Sequence, residues 1–199
     1  MAQLPEIPGN NFKQRRHMKA VFLDRDGVIN KYPGESRYVS SLKDFRFLPN
    51  AKKAIALLTR KGFALFVISN QAGVGKKLYS RRTLGLITAR MLMEVRNAGG
   101  DILEVNYCTH RSDENCVCRK PRAGLIKRVK EKYEKIDLRK SFFIGDTIRD
   151  VMTAQDAGCK SILVLSGKQK LCNQKNWERR PDFVFKDLLE AAQFITKRK

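Results

Sequence analysis

Acidic residues are in short supply in this chain of 199 residues, which has 20 Asp and Glu against 41 Lys and Arg. The formal net charge of +21 argues against a cationic ligand and favours an anionic one, because basic side chains attract phosphates and carboxylates. A concentrated basic tail is also missing, since the cations are spread along the whole chain. The charge therefore predicts an anionic partner but does not define a nucleic-acid-binding surface, which needs clustered cations.

Long apolar stretches are missing as well. No apolar run approaches the roughly 20 residues that a membrane helix needs, and residues 1–19 lack the apolar segment of a secretion signal. We therefore expect a cytoplasmic protein with no membrane partner. Hydrophobic residues still make up 42% of the chain, which is enough for the packed core of one domain. We assign that domain to residues 19–199 and a polar N-terminal extension to residues 1–18.

Four short apolar runs each end abruptly at a polar residue or a glycine. They cover residues 20–23, 63–68, 141–145 and 161–165. Such runs are too short for helices and are typical of strands that are buried on both faces of a parallel sheet.

Segments with helical spacing of apolar residues alternate with these runs. Asn50 and Ser80 are suited to cap two of the helices, and Gly158 is suited to end another that covers residues 148–157. A further strand at 182–185 and a helix at 188–196 complete the pattern. Alternating strands and helices predict an α/β fold with a parallel central sheet and helices on both faces.

Polar side chains stand at the ends of the predicted strands. Asp24, Ser69 and Asp146 each occupy the carboxyl end of a strand, where sheets of this kind bind their ligands. Asp26 follows Asp24 on the same turn. Converging carboxylates repel one another unless a cation holds them, and a small all-oxygen site suits Mg²⁺, which also binds phosphate. With Lys120 as a positive charge, these groups can bind a phosphoryl group and leave one carboxylate to attack it.

Four segments, in order, resemble the motifs of the haloacid-dehalogenase (HAD) superfamily of phosphatases. They are Asp24-Arg25-Asp26-Gly27-Val28, Ile68-Ser69-Asn70-Gln71, Arg119-Lys120-Pro121 and Gly145-Asp146-Thr147-Ile148-Arg149-Asp150. The longer segments 23–30 and 108–121 resemble, more specifically, the heptose bisphosphate phosphatases and the related histidinol-phosphate phosphatases. This resemblance covers nearly the whole chain from Lys19 onward. It implies a three-layer Rossmann-like HAD fold without a large cap domain.

The resemblance also implies catalytic roles. Asp24 would be the nucleophile that forms an aspartyl-phosphate. Asp26 would be the general acid and base, and we expect it to be buried beside other acids. Ser69 and Lys120 would stabilise the charge on the phosphoryl oxygens.

The same comparison implies the magnesium ligands. The Mg²⁺ ligands would be Asp24, the backbone carbonyl of Asp26, and Asp146. Asp150 would lie next to these ligands without binding the ion itself. We expect Asp146 also to cap the helix that follows it.

Substrate contacts are implied for three further parts of the chain. Asn70 and Arg119 would bind the substrate, with the guanidinium of Arg119 on a second anionic group. Residues 32–38 would form the wall of the entrance.

Five cysteines are an odd number, and three of them lie close to a histidine in the pattern Cys108-x-His110-x5-Cys116-x-Cys118. The number and type of these side chains fit a closed, structural, tetrahedral Zn²⁺ site. Because the pattern ends just before Arg119 and Lys120, the metal would fix the loop that carries them.

These features predict a Mg²⁺-dependent phosphomonoesterase that acts, as a monomer, on a small phosphorylated metabolite. Segments 26–30 and 69–73 favour a heptose bisphosphate as substrate. The short gap between His110 and Cys116 is closer to the histidinol-phosphate branch, which is the alternative. The charge leaves open a different class, a basic zinc-containing nucleic-acid-binding protein or a nucleic-acid end phosphatase.

Overall fold

The computed structural model describes residues 18–198, and its centre is one parallel sheet of six strands. The strands are β1 (Ala20–Leu23), β2 (Ala64–Asn70), β3 (Glu104–Cys108), β4 (Phe142–Gly145), β5 (Lys160–Val164) and β6 (Phe183–Phe185). Their order across the sheet is β3-β2-β1-β4-β5-β6, and every neighbouring pair is parallel. The predicted parallel sheet is confirmed.

Helices cover both faces of this sheet. They are α1 (Ala51–Arg60), α2 (Arg81–Asn97), α3 (Gly124–Lys132), α4 (Ile148–Asp156) and α5 (Leu188–Lys197). Alternate residues of β1 point to two separate cores: Val21 and Leu23 pack with α1, α2 and α5, whereas Phe22 packs with α3 and α4. The three-layer fold is therefore confirmed. Among residues 18–198, none of the helices has both the length and the apolar character needed to cross a bilayer.

The position of β1 decides where the site forms. The chain runs outward from β1 through β2 to β3, then returns to place β4 on the other side of β1. Leu23 is therefore paired with Val67 on one side and with Ile144 on the other. The carboxyl ends of three neighbouring strands meet where the strand order reverses, which is where sheets of this kind hold their ligands.

The connection between β1 and α1 is irregular. Within this described segment, Asn30 forms isolated bridges to Asp26 and to Phe47, and neither a helix nor a strand intervenes. No separate cap domain is therefore inserted between β1 and α1.

Two local features differ from the sequence prediction. Strand β3 was not predicted, because it forms the edge of the sheet and four of its five residues are only half-buried. Asn50 precedes α1 with a φ of 62° and makes no capping hydrogen bond through its side chain, so its predicted capping role is wrong. Ser80 does cap α2, and its hydroxyl accepts a hydrogen bond from the Thr83 N–H at 3.0 Å.

The N-terminal extension that we predicted lies outside the described residues, except for Met18. Met18 is buried, and its N–H donates to the carbonyl of Lys135 at 2.8 Å. This contact joins the start of the described chain to the segment that leads into β4.

Candidate active site

Three buried carboxylates meet at the carboxyl edge of the sheet. Asp24 follows β1, Asp146 follows β4, and Asp150 lies in the first turn of α4. One carboxylate oxygen from each residue lies within 4.8 Å of the others. Asp24 is 8% exposed and the other two are 1% exposed, so water screens their mutual repulsion poorly.

Lys120 supplies the positive charge in this cluster. Its Nζ lies 2.9 Å from Oδ2 of Asp24 and 2.6 Å from Oδ1 of Asp150, and the residue is 4% exposed. The backbone of Lys120 is held by Asn70, which accepts from its N–H at 3.1 Å and donates to its carbonyl at 3.2 Å. Asn70, which we expected at the substrate, therefore also orients the lysine loop.

The charges in the cluster do not balance. Burial raises the pKa of Asp24 to about 6, although the ammonium of Lys120 opposes this change. Burial and the nearby carboxylates of Asp150 and Asp24 raise the pKa of Asp146 well above its usual range. Burial opposes the charge on Lys120, but its two carboxylate partners outweigh burial and raise its pKa. When all three acids are ionised, two negative charges remain uncompensated, which suits a divalent cation.

Asp146 does not cap α4, contrary to our expectation. Its Oδ2 accepts a hydrogen bond from the backbone N–H of Lys168 at 2.7 Å. Thr147 is the N-cap, and the Oδ2 of Asp150 accepts from both its N–H at 3.0 Å and its hydroxyl at 2.6 Å. Asp150 therefore stabilises the start of α4 with one oxygen and pairs with Lys120 through the other.

Two glycines make room for Asp146. A Cβ atom at Gly27 or at Gly167 would collide with the carboxylate of Asp146. Gly27 also has a φ of +84°, a conformation that side-chain-bearing residues rarely adopt. The backbone can therefore approach the acid closely from both sides.

Asp26 lies beside this cluster, but its hydrogen-bond partners are not the acids that we expected. Its carboxylate accepts from the guanidinium of Arg25, from Asn30 Nδ2 at 2.8 Å and from Gln71 Nε2 at 2.9 Å. Its side chain is 20% exposed. The carboxyl is therefore oriented by the protein on several sides and remains accessible to a ligand.

A chain of polar side chains joins Ser69 to Asp26. Ser69 is buried, and its hydroxyl accepts from Gln71 Nε2 at 3.2 Å while also lowering the pKa of Asp24. Tyr79 donates to Oε1 of Gln71 at 2.7 Å. Sequence reasoning missed Gln71 and Tyr79 as parts of the site, although Gln71 closes the second motif.

The predicted zinc ligands come together. The Sγ atoms of Cys108, Cys116 and Cys118 lie 3.4 to 3.5 Å apart, and His110 Nδ1 lies 3.2 Å from the Sγ of Cys118. A tetrahedron with metal–sulfur distances of about 2.3 Å has sulfurs about 3.8 Å apart, so the arrangement is close to that shape. Burial raises the pKa of the Cys108 and Cys118 thiols, and although burial also acts on Cys116, hydrogen bonds with these two thiols lower the pKa of Cys116 to about 7. The residues present therefore fit a Zn²⁺ ion.

Arg119 links this cysteine cluster to the carboxylates. Its Nη1 donates to the carbonyl of His110 at 3.3 Å, and the next residue along the chain is Lys120. A shift of the cysteine loop would therefore move the lysine that contacts Asp24.

The predicted entrance segment, residues 32–38, reaches the same edge of the sheet. Its Glu35 pairs with Lys168 Nζ at 2.6 Å, and the backbone of Lys168 contacts Asp146. The segment therefore contacts the loop that follows β5 and that lies against the carboxylates.

Comparison with known proteins identifies the family. The HAD-hydrolase-like family matches residues 117–191. D-glycero-beta-D-manno-heptose-1,7-bisphosphate 7-phosphatase of Neisseria meningitidis is 34% identical over 180 residues, which are 89% of this chain and 95% of that protein. The enzyme of the same name from Pseudomonas putida is 35% identical over 88% of this chain and 98% of that protein. This chain belongs to the heptose bisphosphate phosphatase family.

Solved structures agree with this assignment to the heptose bisphosphate phosphatase family. The D,D-heptose 1,7-bisphosphate phosphatase of B. bronchiseptica, crystallised with magnesium and phosphate, superposes with a TM-score of 0.85 at 30% identity. The match covers 92% of this chain and 100% of that one. As a member of the family, the protein is a HAD-type phosphoric monoester hydrolase.

Proposed function

We propose that this phosphatase requires Mg²⁺ and hydrolyses D-glycero-D-manno-heptose 1,7-bisphosphate at its 7-phosphate. The observation that carries the proposal is the placement of Asp24, which lies 2.9 Å from the ammonium of Lys120, with a second, accessible carboxylate two residues along the chain at Asp26. Relatives that match nearly the whole chain are named for this substrate.

In the first proposed step, an oxygen of Asp24 attacks the phosphorus atom of the 7-phosphate. The bond between phosphorus and the sugar oxygen breaks, and Asp26 gives its proton to that oxygen. Lys120 and Ser69 stabilise the negative charge that develops on the phosphoryl oxygens. Lys120 is well placed for this task because burial strengthens its interaction with an anion.

In the second step, water hydrolyses the aspartyl-phosphate. Asp26, now ionised, takes a proton from the water molecule as the oxygen of that molecule bonds to phosphorus. The bond between phosphorus and Asp24 breaks, which releases phosphate and restores both carboxyl groups to their starting states.

Asp24, Asp146 and the backbone carbonyl of Asp26 are the proposed ligands of Mg²⁺. The ion supplies positive charge that draws a phosphate to these acids. Asp150 orients Lys120 and the start of α4, because both of its oxygens have partners there.

Zn²⁺ in the cysteine cluster has a proposed structural role. Cys108, His110, Cys116 and Cys118 would hold the loop whose next two residues are Arg119 and Lys120. Arg119 and Asn70 are then proposed to contact the substrate beside its reacting phosphate.

Phosphate release from a panel of substrates tests this proposal. The panel contains both anomers of the heptose bisphosphate, because relatives are named for each of them, together with histidinol phosphate and a 3′-phosphorylated oligonucleotide. We expect the highest kcat/KM for one heptose anomer, with one phosphate released and the 1-phosphate retained. Asp24→Asn should abolish release and leave the circular dichroism spectrum unchanged.

Two results would overturn the proposal. A higher kcat/KM for histidinol phosphate or for the oligonucleotide would refute the substrate, and phosphate release by the folded Asp24→Asn variant would refute the nucleophile.

A further inference from the structure

Arg25 is a charged residue in the interior of the protein. It is 0% exposed and is the largest fully buried side chain among the described residues. A buried charge is unfavourable unless close partners compensate for it. A fully buried arginine between the two acids of the first motif therefore requires an explanation.

The guanidinium of Arg25 forms a bidentate contact with the carboxylate of Asp26. Its Nη2 lies 3.0 Å from each oxygen of Asp26, and its Nε lies 3.3 Å from Oδ1. An arginine fork fixes the plane of a carboxylate as well as its position, which a point charge does not. Asp26 therefore has a defined orientation relative to β1.

The arginine is itself supported by the neighbouring part of the sheet. The guanidinium carbon lies 5.7 Å from the centre of the Tyr107 ring in β3, and the Tyr107 hydroxyl lies 3.0 Å from that of Thr88 in α2. Burial opposes the charge of Arg25, but Asp26 and Tyr107 outweigh burial and raise its pKa. The guanidinium is therefore charged and lies against the edge strand β3.

Two amides complete the support of Asp26. Asn30 donates to Oδ1 and Gln71 donates to Oδ2, so each oxygen receives hydrogen bonds from Arg25 and from one amide. The exposed part of the Asp26 side chain remains available to a ligand, whereas Arg25 is sealed from solvent. The side chain of Arg25 therefore contacts the site through Asp26, while its backbone N–H donates to Oδ1 of Asp24 at 2.7 Å.

We propose that Arg25 is a positioning residue that aims the carboxyl of Asp26 at the leaving oxygen of the substrate. The inference rests on the proposed function, because it assumes that Asp26 gives a proton to that oxygen. The bidentate contact fixes the plane of this acid in addition to compensating the buried charge.

The dependence of the rate on the leaving group tests the inference. An alkoxide such as that of a sugar needs a proton as it leaves, whereas p-nitrophenolate leaves without one. For Arg25→Gln we expect kcat/KM on the sugar phosphate to fall by about 100-fold, the lower end of a general acid's contribution. We expect kcat/KM on p-nitrophenyl phosphate, and KM for the sugar phosphate, to change little.

Four further variants make the result decisive. Arg25→Lys keeps the positive charge but lacks the forked guanidinium. It should therefore still lose kcat/KM on the sugar phosphate and not on p-nitrophenyl phosphate. Asp26→Asn should show the same selectivity, and Arg25→Gln added to it should cause no further loss, because both changes act through one group. Arg46→Gln, at an exposed arginine, is the matched control and should leave both rates unchanged.

Three results would overturn the inference. Arg25→Gln could lose activity equally on both substrates, or it could keep full activity on the sugar phosphate. The double variant could also show the sum of the losses of the two single variants. If Arg25→Gln does not fold, Tyr107→Leu removes the ring beside the guanidinium and should give a weaker selective loss. Equal losses of kcat/KM on both substrates in Tyr107→Leu, or no loss on either, would then count against the inference. Asp24→Asn tests the proposed function separately. If Asp24→Asn keeps activity, the proposed function is refuted, whatever the result for Arg25.

Discussion

The ammonium of Lys120 lies 2.6 Å from a carboxylate oxygen of Asp150, and both side chains are almost completely buried. Asp150 stands in the first turn of α4, where its other oxygen binds the N-cap Thr147. The helix terminus and the buried ammonium of Lys120 are therefore held by one acid. An acid three residues after the N-cap therefore stabilises the start of the helix and a buried ammonium together.

Replacement of Asp150 by Asn should destabilise the protein. The change leaves the buried ammonium of Lys120 with Asp24 as its remaining carboxylate partner. Loss of this hydrogen bond to a charged group costs about 1.5 to 3 kcal/mol of unfolding free energy. Urea denaturation of the metal-free protein measures this difference.

Asp156→Asn is the matched control for that measurement. Asp156 lies at the end of the same helix and pairs with Arg179, but both side chains are more than 40% exposed. The loss should be below about 1 kcal/mol, because solvent screens exposed pairs. Equal effects of the two substitutions would contradict the role of the buried pair.

The affinity for Mg²⁺ should increase as the pH rises through 6. Burial raises the pKa of Asp24 to about 6, and that of Asp146 is raised well above its usual range. Below these values the acids are protonated, and protons compete with the metal; above them the acids are ionised. The titration of Asp24 alone predicts an affinity about tenfold lower at pH 5 than at pH 7.

Isothermal titration calorimetry with Mg²⁺ at several pH values measures this dependence. Titrations in buffers of different ionisation enthalpy should also detect proton release on binding at pH 5. An affinity that does not change between pH 5 and pH 7 would contradict the raised pKa values.

The strand ends could be predicted from the sequence, but the contacts around them could not. Asp24, Ser69 and Asp146 were found because each follows or ends a short apolar run, and apolar runs reveal buried parallel strands. The capping of α4 was assigned to the wrong residue because Asp146 and Thr147 are both good N-caps. The backbone of Lys168, distant in sequence, binds the acid and so decides between them.

The contacts of Arg25 could not be predicted from the sequence either. In the sequence it is one of 41 cations, and most arginines are exposed. Its guanidinium lies against Tyr107 in β3, an edge strand whose Glu-Val-Asn-Tyr-Cys sequence has no continuous apolar run. Contacts between segments far apart in the chain therefore set the local environment of the second acid.

Gly167→Ala should weaken the binding of Mg²⁺ and lower kcat. A Cβ at this position would overlap the carboxylate of Asp146, which must then move or rotate. Calorimetry with Mg²⁺ and phosphate release on the same preparation measure both effects.

Gly85→Ala is the control, because a Cβ there, in helix α2, meets no atom within 4 Å. It should raise the unfolding free energy by about 0.5 to 1 kcal/mol and leave kcat unchanged. Full Mg²⁺ affinity in Gly167→Ala would contradict the close packing around Asp146.

Removal of a cysteine from the metal cluster should lower both zinc content and activity. Cys118 is buried, its Sγ lies 3.4 Å from those of Cys108 and Cys116, and it is followed directly by Arg119 and Lys120. Cys118→Ser should reduce the bound zinc from about one ion per chain, measured by mass spectrometry of the metal content. It should also lower kcat, because Lys120 loses its fixed position beside Asp24.

The exposed Cys172 lies outside the cluster, so Cys172→Ser should retain zinc and activity. Full activity in a zinc-free Cys118→Ser variant would show that the loop holds Lys120 without the metal.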